Sequence, residues 1–287
     1  MVRHDLGYVP QIHVELSPTR VIRGRLRLVQ GSFASPHAGE LPSASRTAHF
    51  WWLRPPTGHH EAVWVHLAGT GEGGNRRRLY LARPLAANGI SSVILENPYY
   101  GVRAPSGQRG NDLNVVADLL RMCRAAVGEA RCLLRWLGQH GHRARGVSGY
   151  SMGGHMASLA AATFPEPIAC AAMASGRSAV PIFTADALST SIRWDILGEA
   201  DNQARDRLAA LIELADLDRF PVPIRSDATI LLGARRDAYV RCEQIEALHQ
   251  HWPNSQLRWV GGGHVTTYVR RKPLVESLTA AMSTLVA

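Results

Sequence analysis

From Glu61 to the C-terminus, short apolar runs alternate with amphipathic stretches. That is the pattern of strand and helix in turn that builds a mostly parallel sheet. Residues 62–67 read as the first buried strand, followed by a helix over 76–88 that Gly89 closes and a second strand over 91–95. After a loop rich in Pro and Gly, Leu, Val and Ala at helical spacing predict a long helix over 113–137, ended by Gly138 and leading into a strand over 146–149. A helix just past Ser151, strands over 167–174, 228–232 and 256–260, and helices from about Cys242 and Pro273 complete six strand–helix units.

Two stretches stand outside this series. In residues 1–56, the alternation of Val21, Arg23, Arg25 and Arg27 and the Trp51–Trp52 pair predict antiparallel strands added to one edge of the sheet. Residues 176–223 fall between two strands of the series, where a helical lid or cap is a natural insertion, and 204–217 is helical in pattern. The whole of 1–287 reads as a single α/β domain, a mostly parallel central sheet flanked by helices.

Composition narrows the class. With 46% hydrophobic and 19% charged residues, the chain has enough apolar material for a sizeable core. The N-terminus lacks the continuous apolar stretch of a signal peptide, and no run reaches the roughly 20 apolar residues of a membrane span. Cys123, Cys132, Cys170 and Cys242 are scattered without metal-like or redox spacing, which suits core thiols in a reduced, cytoplasmic setting. The formal charge is +9 and Lys272 is the only lysine, so the excess is arginine. An anionic membrane surface, met peripherally, or an acidic substrate is a partner such a charge allows. Nucleic acid is not expected, because the arginines are not interleaved with exposed aromatics. His59–His60, His140–His142 and His249–His251 are pairs without a third ligand, so no metal site is expected.

Gly149-Tyr150-Ser151-Met152-Gly153 matches G-x-S-x-G, and it stands where a strand hands over to a helix. This is the nucleophile elbow, a sharp turn whose close-packed neighbours must be glycine or very small. A serine hydroxyl attacks only when a base takes its proton. Of thirteen histidines, His264 follows the last strand on the loop Gly261-Gly262-Gly263 and is the candidate base, whereas His155, one helical turn past the serine, is expected behind the elbow or along the pocket. Asp237, just beyond the next-to-last strand, is the candidate acid that fixes the tautomer of the base. Asp227 precedes that strand and Asp195 lies in the expected lid, which makes them weaker rivals. For the oxyanion, Met152 N–H follows the nucleophile and Thr70 N–H, with Gly71 as fallback, lies in the glycine loop after the first strand. Gly69, Tyr150, Arg103 and Arg235 are expected to contact substrate, the arginines through an anionic group.

The segments HLAGTGEGGNRRR at 66–78, LENPYYGVRAP at 95–105, GYSMGGHMASLAA at 149–161, ARRDAYV at 234–240 and GGGHVTTY at 261–268 resemble the alpha/beta hydrolase domain-containing eighteen family. The resemblance spans most of the chain. It implies the α/β-hydrolase fold, the triad Ser151, Asp237 and His264, cleavage of an acyl ester or lipid-type ester, and no cofactor. That family is known mostly from longer eukaryotic chains, so organelle targeting and lipid preference are not carried over. Thioester cleavage or acyl transfer would use the same residues, and a catalytically silent binding module would keep the fold without the reaction.

Overall fold

The computed structural model describes residues 7–22, 25–56, 61–197 and 203–287. Arg23, the His59–His60 pair and residues 198–202 of the expected lid lie outside them.

Ten strands form one sheet: β1 (Glu15–Leu16), β2 (Arg20–Val21), β3 (Arg27–Ala34), β4 (Thr47–Arg54), β5 (Ala62–Leu67), β6 (Ser91–Leu95), β7 (Ala144–Tyr150), β8 (Ala169–Met173), β9 (Thr229–Ala234) and β10 (Gln256–Val260). Their order is β1-β3-β4-β6-β5-β7-β8-β9-β10, with β2 also pairing β3. The six strands from β6 to β10 are parallel, while β1 to β4 add an antiparallel edge through β4 against β6.

The helices are α1 (Arg76–Ala87), α2 (Val116–Gln139), α3 (Met152–Thr163), α4 (Val180–Thr184), α5 (Trp194–Leu197), α6 (Gln203–Ile212), α7 (Cys242–His251), α8 (His264–Val269) and α9 (Arg271–Val286). Apolar residues of α2, α3 and α7 bury one sheet face around Leu133, Met156 and Leu248. Leu85 of α1 and Leu278 of α9 cover the other. Strands β5, β6 and β9 are buried on both faces, which is why they read as continuous apolar runs and not as alternation.

The position of the site follows from connectivity. From β5 the chain passes through α1 to β6 on one side, and from β6 through α2 to β7 on the other. The loops leaving the carboxyl ends of β5 and β7 therefore diverge and open a crevice, the place where open α/β sheets bind ligands.

Candidate active site

Ser151 ends β7 and caps α3 with φ 57° and ψ −124°. A non-glycine residue held there costs on the order of 1–3 kcal/mol, so surrounding structure must impose it. The Ser151 N–H donates to Met173 O of β8 at 2.8 Å, and close glycines leave the turn no other course. A Cβ on Gly149 would stand 2.2 Å from the Gly153 backbone, and one on Gly153 would stand 2.6 Å from Leu67 O of β5. The turn thus presses against the strand whose loop carries Thr70.

Asp237 and His264 come together from the loops after β9 and β10. His264 Nδ1 lies 2.7 Å from Asp237 Oδ2, and since a carboxylate only accepts, Nδ1 is the donor. The other oxygen, Oδ1, accepts the N–H groups of Tyr239 at 2.8 Å and Val240 at 2.9 Å, which fixes the plane of the carboxylate. The Asp237 side chain is fully buried. The imidazole lies between the Tyr239 ring at 4.9 Å and the Tyr150 ring at 5.1 Å. Among the described residues no hydrogen bond joins Ser151 Oγ to His264; such bonds often tighten only when substrate is bound. The rival acids are elsewhere: Asp227 pairs with Arg225 at the opposite end of β9, and Asp195 with exposed Arg193.

The loop after β5 is held by a buried ion pair that its glycine-rich sequence does not advertise. Glu72 accepts the Gly69 N–H at 3.1 Å and Arg78 Nε at 3.0 Å. Arg78 also donates to the carbonyls of His66, Leu95 and Gly74, riveting the ends of β5 and β6 to the loop. Gly71 N–H donates to the Tyr100 hydroxyl at 3.1 Å. With its neighbours' donors engaged, Thr70 is the member of the loop that lines the cavity of Ser151, together with Met152.

That cavity has a volume of about 90 Å³. Its walls are mostly apolar: Leu119 and Cys123 of α2, Met156 and Leu159 of α3, Ile182 and Phe183 of α4, Leu188, Ile212 of α6 and Val240. Ile182, Phe183, Leu188, Ile212 and Ala215, within the expected lid, thus share the cavity lining with Ser151. His155 also lines the cavity, with Nε2 3.0 Å from Ala215 O and Nδ1 3.4 Å from Gly176 O, and burial holds its pKa below the ordinary value.

The substrate contacts read from sequence need correction. Arg103 is fully buried and bound to Glu129 by two bonds, Nη1–Oε2 at 2.8 Å and Nη2–Oε1 at 2.7 Å. It also donates to Glu96 O and Ser45 O, so it joins α2 to two loops and does not line the cavity of Ser151. Gly69 has its N–H on Glu72. Tyr150 is buried and its hydroxyl donates to His264 O at 2.5 Å, so it holds the loop of His264; burial first, and then the Asp237 charge, raise the pKa of its phenol. Arg235 is exposed, its guanidinium over the Trp259 ring, and it does not line the cavity.

Other histidines serve the scaffold: His66 bridges Ser148 and Ser92 inside the sheet, His140 bonds Trp136 O, and His249 bonds Ser255 Oγ. Among the described residues no group of three His, Cys, Asp or Glu side chains is arranged to hold a metal ion, and no helix is long and apolar enough to cross a membrane.

Comparison with known proteins agrees with this architecture. The acetyl xylan esterase of Paenibacillus sp. R4 superposes with a TM-score of 0.67 at 14% identity, over 93% of this chain and 89% of that one. An S-formylglutathione hydrolase of Agrobacterium tumefaciens gives 0.58 at 18% identity, over 94% and 99%. At such identities the likeness is one of fold: an α/β-hydrolase. An uncharacterized protein of Mycobacterium tuberculosis is 28% identical over 283 residues, covering 91% of this chain and 64% of that protein, so the chain spans under two thirds of its relative's length. The alpha/beta hydrolase domain containing 18 family matches residues 5–215 and 198–281, which take in the elbow, the glycine loop, Asp237 and His264, and to that family this chain belongs.

Proposed function

We propose that this protein hydrolyses a carboxylic ester through an acyl-enzyme on Ser151. The observation that carries the reading is a serine on a strained elbow lining an apolar cavity, in a fold whose loops after β9 and β10 pair a buried carboxylate with an imidazole. In this mechanism His264, with Nδ1 committed to Asp237, takes the Ser151 proton through Nε2 as Oγ attacks the carbonyl. The N–H groups of Met152 and Thr70 receive the oxyanion. The alcohol leaves with a proton returned by His264, and water, activated by the same nitrogen, releases the acid.

The walls fit a hydrocarbon acyl group. About 90 Å³ is less than the roughly 150 Å³ that holds a benzene ring, so the cavity fits a short acyl chain, and a fatty-acyl chain would extend beyond it. No arginine lines the cavity, so an anionic part of the ester would sit outside it. Proteins of similar fold include an acetyl xylan esterase and an S-formylglutathione hydrolase, which supports ester or thioester cleavage. All four cysteines are free thiols, which favours a reducing compartment such as the cytoplasm.

The test is labelling with a fluorophosphonate probe, wild type beside Ser151→Ala, followed by p-nitrophenyl esters of increasing chain length. Labelling of the wild type alone, with a preference for two to four acyl carbons that lengthens in Phe183→Ala, is expected. Equal labelling of both proteins, or of neither, overturns the reading.

A further inference from the structure

A second cavity, of about 650 Å³, lies at the end of the sheet opposite Ser151. β4 runs antiparallel to β6, so Arg54 at its close stands where the parallel strands begin, and His140 and His142 stand on the turn that enters β7. Arg27 of β3 and Arg54 both line this cavity. They are direct partners in the β3–β4 register. Like charges set opposite one another on neighbouring strands destabilise a sheet, and among the described residues no carboxylate lines the cavity beside this pair. Among the described residues neither arginine joins an ion pair; Arg27 Nε donates to Pro55 O at 3.2 Å, and Arg54 lies over the Trp52 ring at 4.6 Å.

The nearby C-terminus of α2, whose dipole favours cations, is engaged elsewhere. Trp136 O and Leu137 O accept the His140 N–H, Leu137 O also accepts the His142 N–H, and Leu134 O accepts Arg145. Burial, and then the Arg27 charge, lower the pKa of Arg54, so the surroundings work against a cation that the sequence nevertheless puts there.

Two adjacent guanidinium groups without a carboxylate present the planar forks that grip phosphate oxygens. His13 beside them adds ring nitrogens that can donate. The volume falls within the roughly 300–1,000 Å³ of small-molecule sites. We propose that this cavity is a second binding site, remote from the nucleophile, for a phosphate-bearing molecule held between Arg27 and Arg54. The phosphate belongs either to a soluble metabolite or to a lipid headgroup.

Titration of the full chain with inorganic pyrophosphate, by calorimetry and by thermal melting at fixed ionic strength, tests the assignment. Expected are saturable binding and a raised Tm in the wild type, at least tenfold weaker binding in Arg27→Gln and Arg54→Gln, and no change in the exposed control Arg207→Gln. Relief of the like-charge pair should leave the unliganded variants melting at or above wild type. Arg54→Lys, which keeps the charge without the fork, should fold and also bind more weakly. Co-sedimentation with phosphatidic acid vesicles, against phosphatidylcholine alone, assigns the phosphate to lipid if retention depends on both arginines, and to a soluble molecule if pyrophosphate binds and vesicles do not. Binding that survives both substitutions, falls equally in Arg207→Gln, or is absent from the wild type overturns the proposal. So do unliganded variants that melt well below wild type, since the arginines would then serve the fold.

Discussion

Replacement of Arg103 by methionine separates a structural arginine from a substrate-binding one. In the folded protein its guanidinium and the Glu129 carboxylate are both fully removed from solvent and joined by two bonds. Removing one partner of such a pair strands the other charge, at a cost of about 3–5 kcal/mol. The bonds to Ser45 O at 2.7 Å and Glu96 O at 2.6 Å go as well, so the upper half of that range is expected. Against a typical domain stability of about 5–15 kcal/mol, this is about a quarter or more of the total. Urea unfolding at pH 7, followed by tryptophan fluorescence, should show a lower midpoint with an unchanged slope. Arg103→Met combined with Glu129→Leu should recover much of the loss, because the stranded charge is gone. At a temperature where Arg103→Met is folded, the ratio of kcat/KM for a neutral ester to that for its carboxylate-bearing analogue should equal the wild-type ratio. Stability within about 0.5 kcal/mol of wild type, together with a selective loss on the anionic ester, would refute the reasoning and return Arg103 to the substrate.

Two further outcomes are expected. Asp237→Asn should keep the Tyr239 and Val240 N–H bonds through its carbonyl oxygen while turning an amide N–H toward His264 Nδ1. The wrong tautomer then lowers kcat by about 10⁴-fold; steady-state kinetics within tenfold of wild type would count against Asp237 as the acid. His66 has its pKa lowered to about 3 by burial and then by Arg78, against 6.5 unfolded. Between these values the unfolded chain holds the extra proton, so the stabilisation is complete above pH 6.5 and falls with acidification by about 1.4 kcal/mol per unit. Unfolding free energies at pH 7.5 and 5.0 should therefore differ by about 2 kcal/mol more in wild type than in His66→Gln, and equal differences would dismiss His66 as the cause.

What the sequence made legible was whatever local pattern controls. Strands at 62–67, 91–95 and 256–260 form at the residues expected; in the first two, buried runs between polar breaks leave little choice of ends. The long helix illustrates a miss. Gly138 is not its stop but lies within α2, where a Cβ would stand 2.3 Å from Arg145 Nη1; the left-handed residue is Gly141, at φ 89°. In the site, the elbow was legible because its glycines are dictated by contacts two residues away. The Asp237–His264 pair was legible because both follow strands that the apolar pattern had already located. Arg78, Arg103 and Glu72 were not, because charged side chains usually signal exposure and their burial depends on partners that adjoin only in three dimensions. Tyr100 and Tyr239, which hold the loop and adjoin the imidazole, look in sequence like ordinary aromatics, and Tyr150, expected to contact substrate, binds His264 O.

The juxtaposition of β5 and β7 has a kinetic consequence. His66 and Ser148 touch across 82 residues of chain, with β6, α1 and α2 intervening. Contacts so far apart in sequence are made late and slowly, since the loop must close before any stabilisation rewards it. On the reading proposed above, the crevice that carries the nucleophile and the oxyanion donors is therefore absent from any intermediate in which β5 has paired only with β6. Reactivity of Ser151 would then appear as the central pairing completes, and the rate at which a refolding chain gains labelling by an active-site probe would time the closure of the sheet itself.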